Sequence, residues 1–441
     1  MKLIGIEEHF ITAEVNDAWN AAALEAVDPS VAFHAGAARN RLFDLADERL
    51  ALMDETGLDV QVLSLTTPML HDLGAESLEI ARRTNDALAA AVARHPTRFQ
   101  ALATLPVSLP EEAALELERC MKVLGFKGTV LSGRVGTRNL DHPTLSPIFQ
   151  SAEALGAPIL LHPRVPEMAV RAAYYSGFTP AVDAALSTYG LGWHYDAGVQ
   201  FLRLVLAGVF DRMPGLQVIL GHWGELVLFY AERLAAMDRV SGLNHPIATY
   251  LRQNLYVTAS GMFSLNYLQR SIEIVGTDRI LFSTDYPYQY RLGSDARSFL
   301  EHAPLTEEDK VKFANGNWEN LTGRATAASA IRRSPKQDRE GSKMAILRGR
   351  AKTANGSKYL QQLCKHWGHK FEIEFSENKG QIRFPSAVAT MEASADGLMV
   401  TIETDDPESV AQLKEVVANH LDRFAHREAP LPFKWSTTED H

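Results

Sequence analysis

Cysteine is scarce in this chain: 441 residues hold only Cys120 and Cys364. The two fit no disulfide framework and no thiolate metal motif, and their scarcity suits a reducing cytoplasm. Long hydrophobic runs are missing as well. No stretch approaches the roughly 18 apolar residues that a membrane-crossing helix needs. The N-terminus, MKLIGIEEHF, meets acidic residues before an apolar signal segment could form, so no secretory signal is expected there. Excess positive charge is lacking: 44 Lys and Arg stand against 54 Asp and Glu, a formal net charge of −10. That balance argues against nucleic acid as the main partner, because phosphate binding wants clustered Lys and Arg. Internal repeats are not seen.

What remains is ordinary globular composition, 46% hydrophobic and 22% charged, in a chain long enough for more than one domain. Up to about residue 325, short β-rich runs alternate with longer amphipathic segments. The runs fall at 2–8, 60–65, 99–105, 126–132, 158–162, 217–222, 255–260 and 280–285. Segments such as LFDLADERLALMDETG and SLEIARRTNDALAAAVARH lie between them, with apolar residues at helical spacing. Strands alternating with helices imply parallel pairing, and eight such units fit a closed (β/α)8 barrel better than an open sheet. The expected division is a barrel over 1–325, a small, polar and charged linker over 326–343, and a second domain over 344–437.

The tail has a different rhythm. Residues 355–367 read as a helix, FEIEFSENKGQIRFP as a hairpin with Phe371, Ile373 and Phe375 on one face, and ATMEASADGLMVTIET as a second hairpin with Asp396-Gly397 at its turn. Asp406-Pro407-Glu408 then opens a helix running to about Phe424. Helix, four antiparallel strands and helix describe a small α+β domain. Its histidines, His366, His369, His420 and His426, are expected to sit on polar helix faces rather than to form a second metal site.

In a barrel of this kind the chemistry sits at the C-terminal ends of the strands. The first strand ends in Glu7-Glu8-His9, and residues two apart in an extended chain point the same way. The fifth ends in His162, the sixth in His222-Trp223-Gly224-Glu225, and the eighth in Asp285. Carboxylates and imidazoles meeting at one rim suit Zn²⁺, and also Mn²⁺ or Fe²⁺. Alone, each residue has a plainer reading: a His after a strand is often structural, and Asp285 could cap a helix. Tyr286 and Tyr288, next to Asp285, are candidate substrate contacts. The long connection after the fifth strand, 163–196, carries Tyr174, Tyr175, Phe178, Tyr189 and Trp193, which could wall a flat ring or form a dimer contact.

The segments GIEEHF, LLHPR, VILGHWGE and RILFSTDYPY, with FLRLVLAGVFDRMPGLQ and YVTASGMF, resemble the decarboxylase branch of the amidohydrolase superfamily. The resorcylate and dihydroxybenzoate decarboxylases are most similar, the aminocarboxymuconate semialdehyde decarboxylases less so. The resemblance spans nearly all of residues 1–325. It implies that Glu7, His9, His162 and Asp285 bind one divalent metal, Zn or Mn, and that His222 and Glu225 act beside it. Glu7-x-His9 replaces the His-x-His of typical hydrolytic members, and the fourth strand, FKGTVLSG, has Lys127 at the wrong end for a bridging lysine. A single metal is therefore expected. Ser132 stands where the resorcylate enzymes carry an Asn that can touch a ring hydroxyl, and Arg233 matches an Arg of those enzymes. Both are candidate substrate contacts.

The resemblance implies non-oxidative decarboxylation of a hydroxylated aromatic or related unsaturated acid, with Asp285 as proton donor and His222 as the alternative. A homo-oligomer, dimer or tetramer, is expected. Metal-dependent hydrolysis of a lactone, ester or amide is the competing activity, and a non-enzymatic scaffold for the tail is a third reading. SKYLQQLCKHWGHK and HLDRFAHRE in the tail resemble a small bacterial domain of unknown role.

Overall fold

The computed structural model describes residues 1–290, 293, 295–323, 345–367, 372–384, 387–404, 414, 417–418, 420–422, 424–425 and 428–438. The expected linker, the Asp406-Pro407-Glu408 cap, Phe371, His369 and His426 lie outside the described residues. By contact density the chain divides into two compact units, Met1–Ile331 and Arg332–His441.

In the first unit eight parallel strands run in sequence order: β1 Ile4–Phe10, β2 Val60–Leu65, β3 Phe99–Ala101, β4 Thr129–Ser132, β5 Ile159–His162, β6 Val218–Leu220, β7 Leu255–Thr258 and β8 Ile280–Leu281. Regular pairing joins β1 to β3 and β4 to β8. Single bridges close the circle: Ala103 pairs with Thr129, Glu8 pairs with Tyr286, and the Ile6 N–H donates to the Phe282 carbonyl at 3.0 Å. The result is the (β/α)8 barrel read from the strand–helix alternation. β1, β2, β4, β5, β6 and β7 are buried at every position, as expected where helices cover the outside and side chains fill the inside of a parallel barrel. The helix Ser77–Arg94 shows why the covering works, since Ile80, Ala81, Leu88 and Ala91 recur at helical spacing and are all buried.

Arg49 ties the first strand to its surroundings. The side chain is fully buried, donates to the His9 carbonyl at 2.7 Å and the Asp44 carbonyl at 2.6 Å, and lies 4.6 Å over the Tyr286 ring.

The second unit is α+β. Helix Gly356–Trp367 buries Tyr359, Leu360, Leu363, Cys364 and Trp367 over an antiparallel sheet. The two hairpins are present as β10 Glu372–Phe375 with β11 Lys379–Phe384, and β12 Ala387–Ser394 with β13 Gly397–Thr404. Residues 417–418, 420–422 and 424 are helical. The sheet is larger than the four strands expected. Its order is β10-β11-β12-β13-β9-β14, adding β9 Ala345–Lys352 and β14 Lys434–Thr438. In β9 the inward positions include Leu347, Gly349 and Ala351, while Arg348, Arg350 and Lys352 face water. So small and basic a strand carries little apolar alternation to read. Ile373 packs against the tail core, but Phe375 is 44% exposed, because β10 is an edge strand.

Candidate metal centre and active site

The strand alternation read in Glu7-Glu8-His9 places the three side chains as follows. Glu7 and His9 share a region with His162, their ligand-type atoms lying within 4.8 Å of one another. Glu8 faces the opposite way and accepts from the Thr284 N–H at 2.8 Å and the Tyr286 N–H at 3.3 Å. Burial pushes its carboxyl up to about 7. Glu8 thus fastens β1 to the end of β8, and so carries Asp285 towards His9: their Oδ1 and Nε2 atoms are 3.2 Å apart.

Glu7, His9 and His162 fit a cation, and Asp285 stands beside them. Glu7 is fully buried, its Oε2 accepts from Ser260 Oγ, and its Oε1 has no hydrogen-bond partner. Burial pushes the Glu7 carboxyl up, a penalty that a nearby cation would offset. His9 contacts Ser64 Oγ through Nδ1 at 3.3 Å and leaves Nε2, facing Asp285, without a hydrogen bond. His162 donates Nδ1–H to the Pro163 carbonyl at 2.9 Å, which leaves Nε2 as a lone pair. Burial holds His162 well below the usual histidine range, so it is neutral, the form that ligates metals. The nearest Nε2-to-Glu7 distance is 3.8 Å. Buried carboxylate and imidazole atoms turned to one spot without partners make a donor set of mixed N and O character.

His222 and Glu225 follow β6 in an unusual turn. His222, Trp223, Glu225 and Leu226 have φ of 46°, 57°, 50° and 69°. Such left-handed residues cost about 1–3 kcal/mol each and gather where function requires them. This winding folds Glu225 back, so that His222 Nδ1–H donates to Glu225 Oε1 at 2.6 Å. Gly221, just before it, has no room for a side chain: a Cβ would lie 2.8 Å from Ser260 Oγ and 3.1 Å from Glu7 Oε1. Burial disfavours a charged His222, but Glu225 outweighs it and pushes the imidazole up to about 10. Burial also works against the Glu225 charge, yet His222 and His194 hold that carboxyl down at about 2.

A cavity of about 360 Å³ opens over these groups. His162, His222 and Asp285 line it, with Tyr288, Phe33 and Trp193 supplying aromatic wall. The Tyr288 ring is 5.7 Å from His9, and its hydroxyl pairs with Thr66 Oγ1 at 2.7 Å. Phe33 and Trp193 meet edge to face. Apolar rings around a few convergent polar groups make a pocket suited to a flat, charged ligand.

Three of the expected substrate contacts are not among the lining residues. Ser132 is buried and donates to the Pro163 carbonyl at 3.0 Å. Arg233 is exposed on the short helix Ala231–Ala235. Tyr286 is buried against Arg49. Two lining histidines escaped the sequence reading. His34 stacks on Trp19 at 5.2 Å, and burial pushes it down to about 3. His194 donates Nδ1–H to Glu225 Oε2 at 2.7 Å. Neither ends a strand, and the only signal for His194 was its place beside Trp193 in an overlong connection.

Residues 38–319 match the amidohydrolase family. The chain belongs to that family. Within the amidohydrolases it is similar to a gamma-resorcylate decarboxylase of Polaromonas sp., with 36% identity over 303 residues, 64% of this chain and 89% of the relative. It is also similar to a 2-amino-3-carboxymuconate-6-semialdehyde decarboxylase of Dictyostelium discoideum, with 28% identity covering 63% of this chain and 74% of the relative. The structure of a 5-carboxyvanillate decarboxylase from Novosphingobium aromaticivorans, holding manganese and 4-hydroxy-3-methoxy-5-nitrobenzoic acid, superposes with a TM-score of 0.67. It is 30% identical and covers 73% of this chain and 96% of that one. Residues 348–436 match a family of uncharacterised proteins conserved in bacteria.

Proposed function

We propose that this amidohydrolase removes the carboxylate of a hydroxylated aromatic acid as carbon dioxide, without oxidation and with the help of one divalent cation. The observation that carries the reading is the clustering of Glu7, His9 and His162, with Asp285 against His9 and lining, like His162, an aromatic-walled cavity beside a histidine held by a buried carboxylate. Those four residues would hold the ion, Zn²⁺ or Mn²⁺. When bound, it supplies a Lewis acid and template for an ortho hydroxyl and the carboxylate.

The reaction needs a proton on the ring carbon that bears the carboxylate. The carbon–carbon bond then breaks, its electrons return to the ring, and carbon dioxide leaves. Asp285 and His222 both line the cavity and can deliver that proton. The reading assigns delivery to Asp285. His222, kept charged by Glu225, pairs with the substrate carboxylate and is the second donor. Tyr288 and Trp193 hold the ring flat against the floor. Closing the cavity around the ring excludes water from the reacting carbon.

Two further expectations belong to this reading. The connection after β5 leaves Tyr174 76% and Phe178 63% exposed, along with Phe229 at 71%. Large apolar side chains left open favour burial in a homo-oligomer, dimer or tetramer. A place in the cytoplasm fits the two free, buried cysteines. No helix among the described residues is long and apolar enough to cross a membrane.

The test is a panel of mono- and dihydroxybenzoates offered to manganese- or zinc-loaded protein, with carbon dioxide release followed directly. Release from ortho-hydroxylated members is expected. Hydrolysis of lactones, esters or amides with no carbon dioxide from any acid would overturn the reading.

A further inference from the structure

We propose that His194 is a positioning residue for this site, acting through Glu225 to fix the orientation and tautomer of His222. Glu225 is 1% exposed, and its two oxygens are divided between two imidazoles. Oε1 accepts from His222 Nδ1 at 2.6 Å, and Oε2 accepts from His194 Nδ1 at 2.7 Å. The two rings stand 4.5 Å apart, edge to face. A carboxylate gripped at one oxygen can still swing about its last bond. Gripped at both, it presents one fixed lone pair to His222, keeps the proton on Nδ1, and frees Nε2.

His194 is itself held. The Trp193 indole N–H donates to its Nε2 at 3.0 Å, and the Tyr189 carbonyl stands 3.1 Å from the same nitrogen. With Nε2 accepting from the Trp193 indole, the ring proton is kept on Nδ1, facing Glu225 Oε2. The helix that carries His194, Gly192–Leu206, is seated directly on the Glu225 loop. At Gly198 a Cβ would lie only 2.4 Å from the Glu225 carbonyl oxygen, so only glycine allows that approach. Trp193 and His194 both line the cavity. A ring pressed against Trp193 therefore bears on the element that sets His222.

The kinetic consequences rest on the decarboxylase reading; the structural ones do not. Zinc-loaded wild type, His194→Phe, His194→Gln and Glu225→Gln are compared by long-range proton–nitrogen NMR of the histidine rings. Wild-type His222 is expected as the Nδ1–H tautomer. His194→Phe should give mixed tautomers with faster proton exchange, and His194→Gln, whose amide can donate to Oε2, should restore the wild-type signal. In turnover, His194→Phe should lower kcat about 10- to 100-fold, the usual effect of removing a group that orients a neighbour. KM and metal content should change little. The double variant His194→Phe with Glu225→Gln should be no slower than Glu225→Gln alone. An unchanged His222 signal in His194→Phe, or losses that multiply in the double variant, would overturn the inference. Should His194→Phe fail to fold, Trp193→Phe removes the indole donor, and an unaltered His222 signal there would count equally against it. A wild type that decarboxylates nothing sinks the decarboxylase reading, while the NMR comparison still decides the role of His194.

Discussion

His9 Nε2 lies 3.2 Å from Asp285 Oδ1, although the two residues come from the first and last strands of the barrel. The pair sits at the seam where the barrel closes, with the His9 N–H donating to the Tyr286 carbonyl at 2.7 Å. Asp285 has φ of 56°, so the chain turns sharply at the end of β8 and brings the carboxylate inward. The contacts that close the barrel therefore also bring these two candidate ligands together.

One consequence is metal stoichiometry. Elemental analysis of purified protein should give about one divalent ion per chain. His162→Ala should lose that ion, and chelation of wild type should abolish turnover until Mn²⁺ or Zn²⁺ is restored. Two ions per barrel would require ligands beyond the four named.

His222→Asn separates catalysis from metal binding. Removing a positioned acid or base costs about 100- to 10,000-fold in rate, so kcat should fall within that range while metal content stays near wild type. A variant purified without metal would make His222 a ligand. Full activity would leave proton transfer to Asp285 and give His222 a structural task.

Arg49→Met tests the support behind β1. The substitution leaves the carbonyls of His9, Arg41 and Asp44 without the donor they now share. Leaving a buried acceptor unpaired costs about 1–3 kcal/mol, read from urea unfolding of the barrel. Metal affinity should weaken too, because the His9 backbone is one of the anchored groups. A stability loss below about 1 kcal/mol would show that water replaces the guanidinium easily.

Asp196 predicts a pH effect. Burial pushes this carboxyl up to about 6, against the pull of Arg134 and Arg164. A raised carboxyl binds protons more tightly folded than unfolded, so its contribution is present below the ordinary value and fades as pH rises through about 6. Asp196→Asn cannot ionise. The melting temperature of the variant minus that of wild type should therefore rise between about pH 4 and 6. A difference independent of pH would show that Arg134, 3.5 Å away, neutralises the burial penalty.

The tail domain can be removed to test independence. Each unit has its own apolar core, one including Leu160, Ile219 and Trp318, the other Leu360, Ile382 and Val400. A chain ending at Gly323 is expected to fold, bind one ion and keep most of its turnover. An insoluble or metal-free product would assign the tail a part in completing the barrel.

The sequence by itself determined the barrel and the candidate ligand residues. Alternating β-rich and amphipathic segments specify parallel strands, because side-chain period follows from backbone geometry. Glu7 and His9 were legible as a pair for the same reason, being two apart on one strand. His162, at the end of β5, needed only the rule that barrel chemistry gathers at strand ends.

Tertiary structure decided what those ends face and what stands above them. After a strand the direction of a side chain depends on the turn, and the left-handed run at His222–Leu226 turns Glu225 back on His222. Ser132, also at a strand end, is drawn instead to the Pro163 carbonyl, and Tyr286 packs beneath Arg49 while Tyr288, two residues on, lines the cavity. His34 and His194 reach the cavity from connections whose paths are set by packing and carry no periodic signal. The tail strands β9 and β14 were hidden likewise, since β9 shows its small inward residues only once β13 and β14 pair on either side. Local pattern records the period of a strand, but the wall of a cavity is built from segments distant in sequence, and only their packing brings them together.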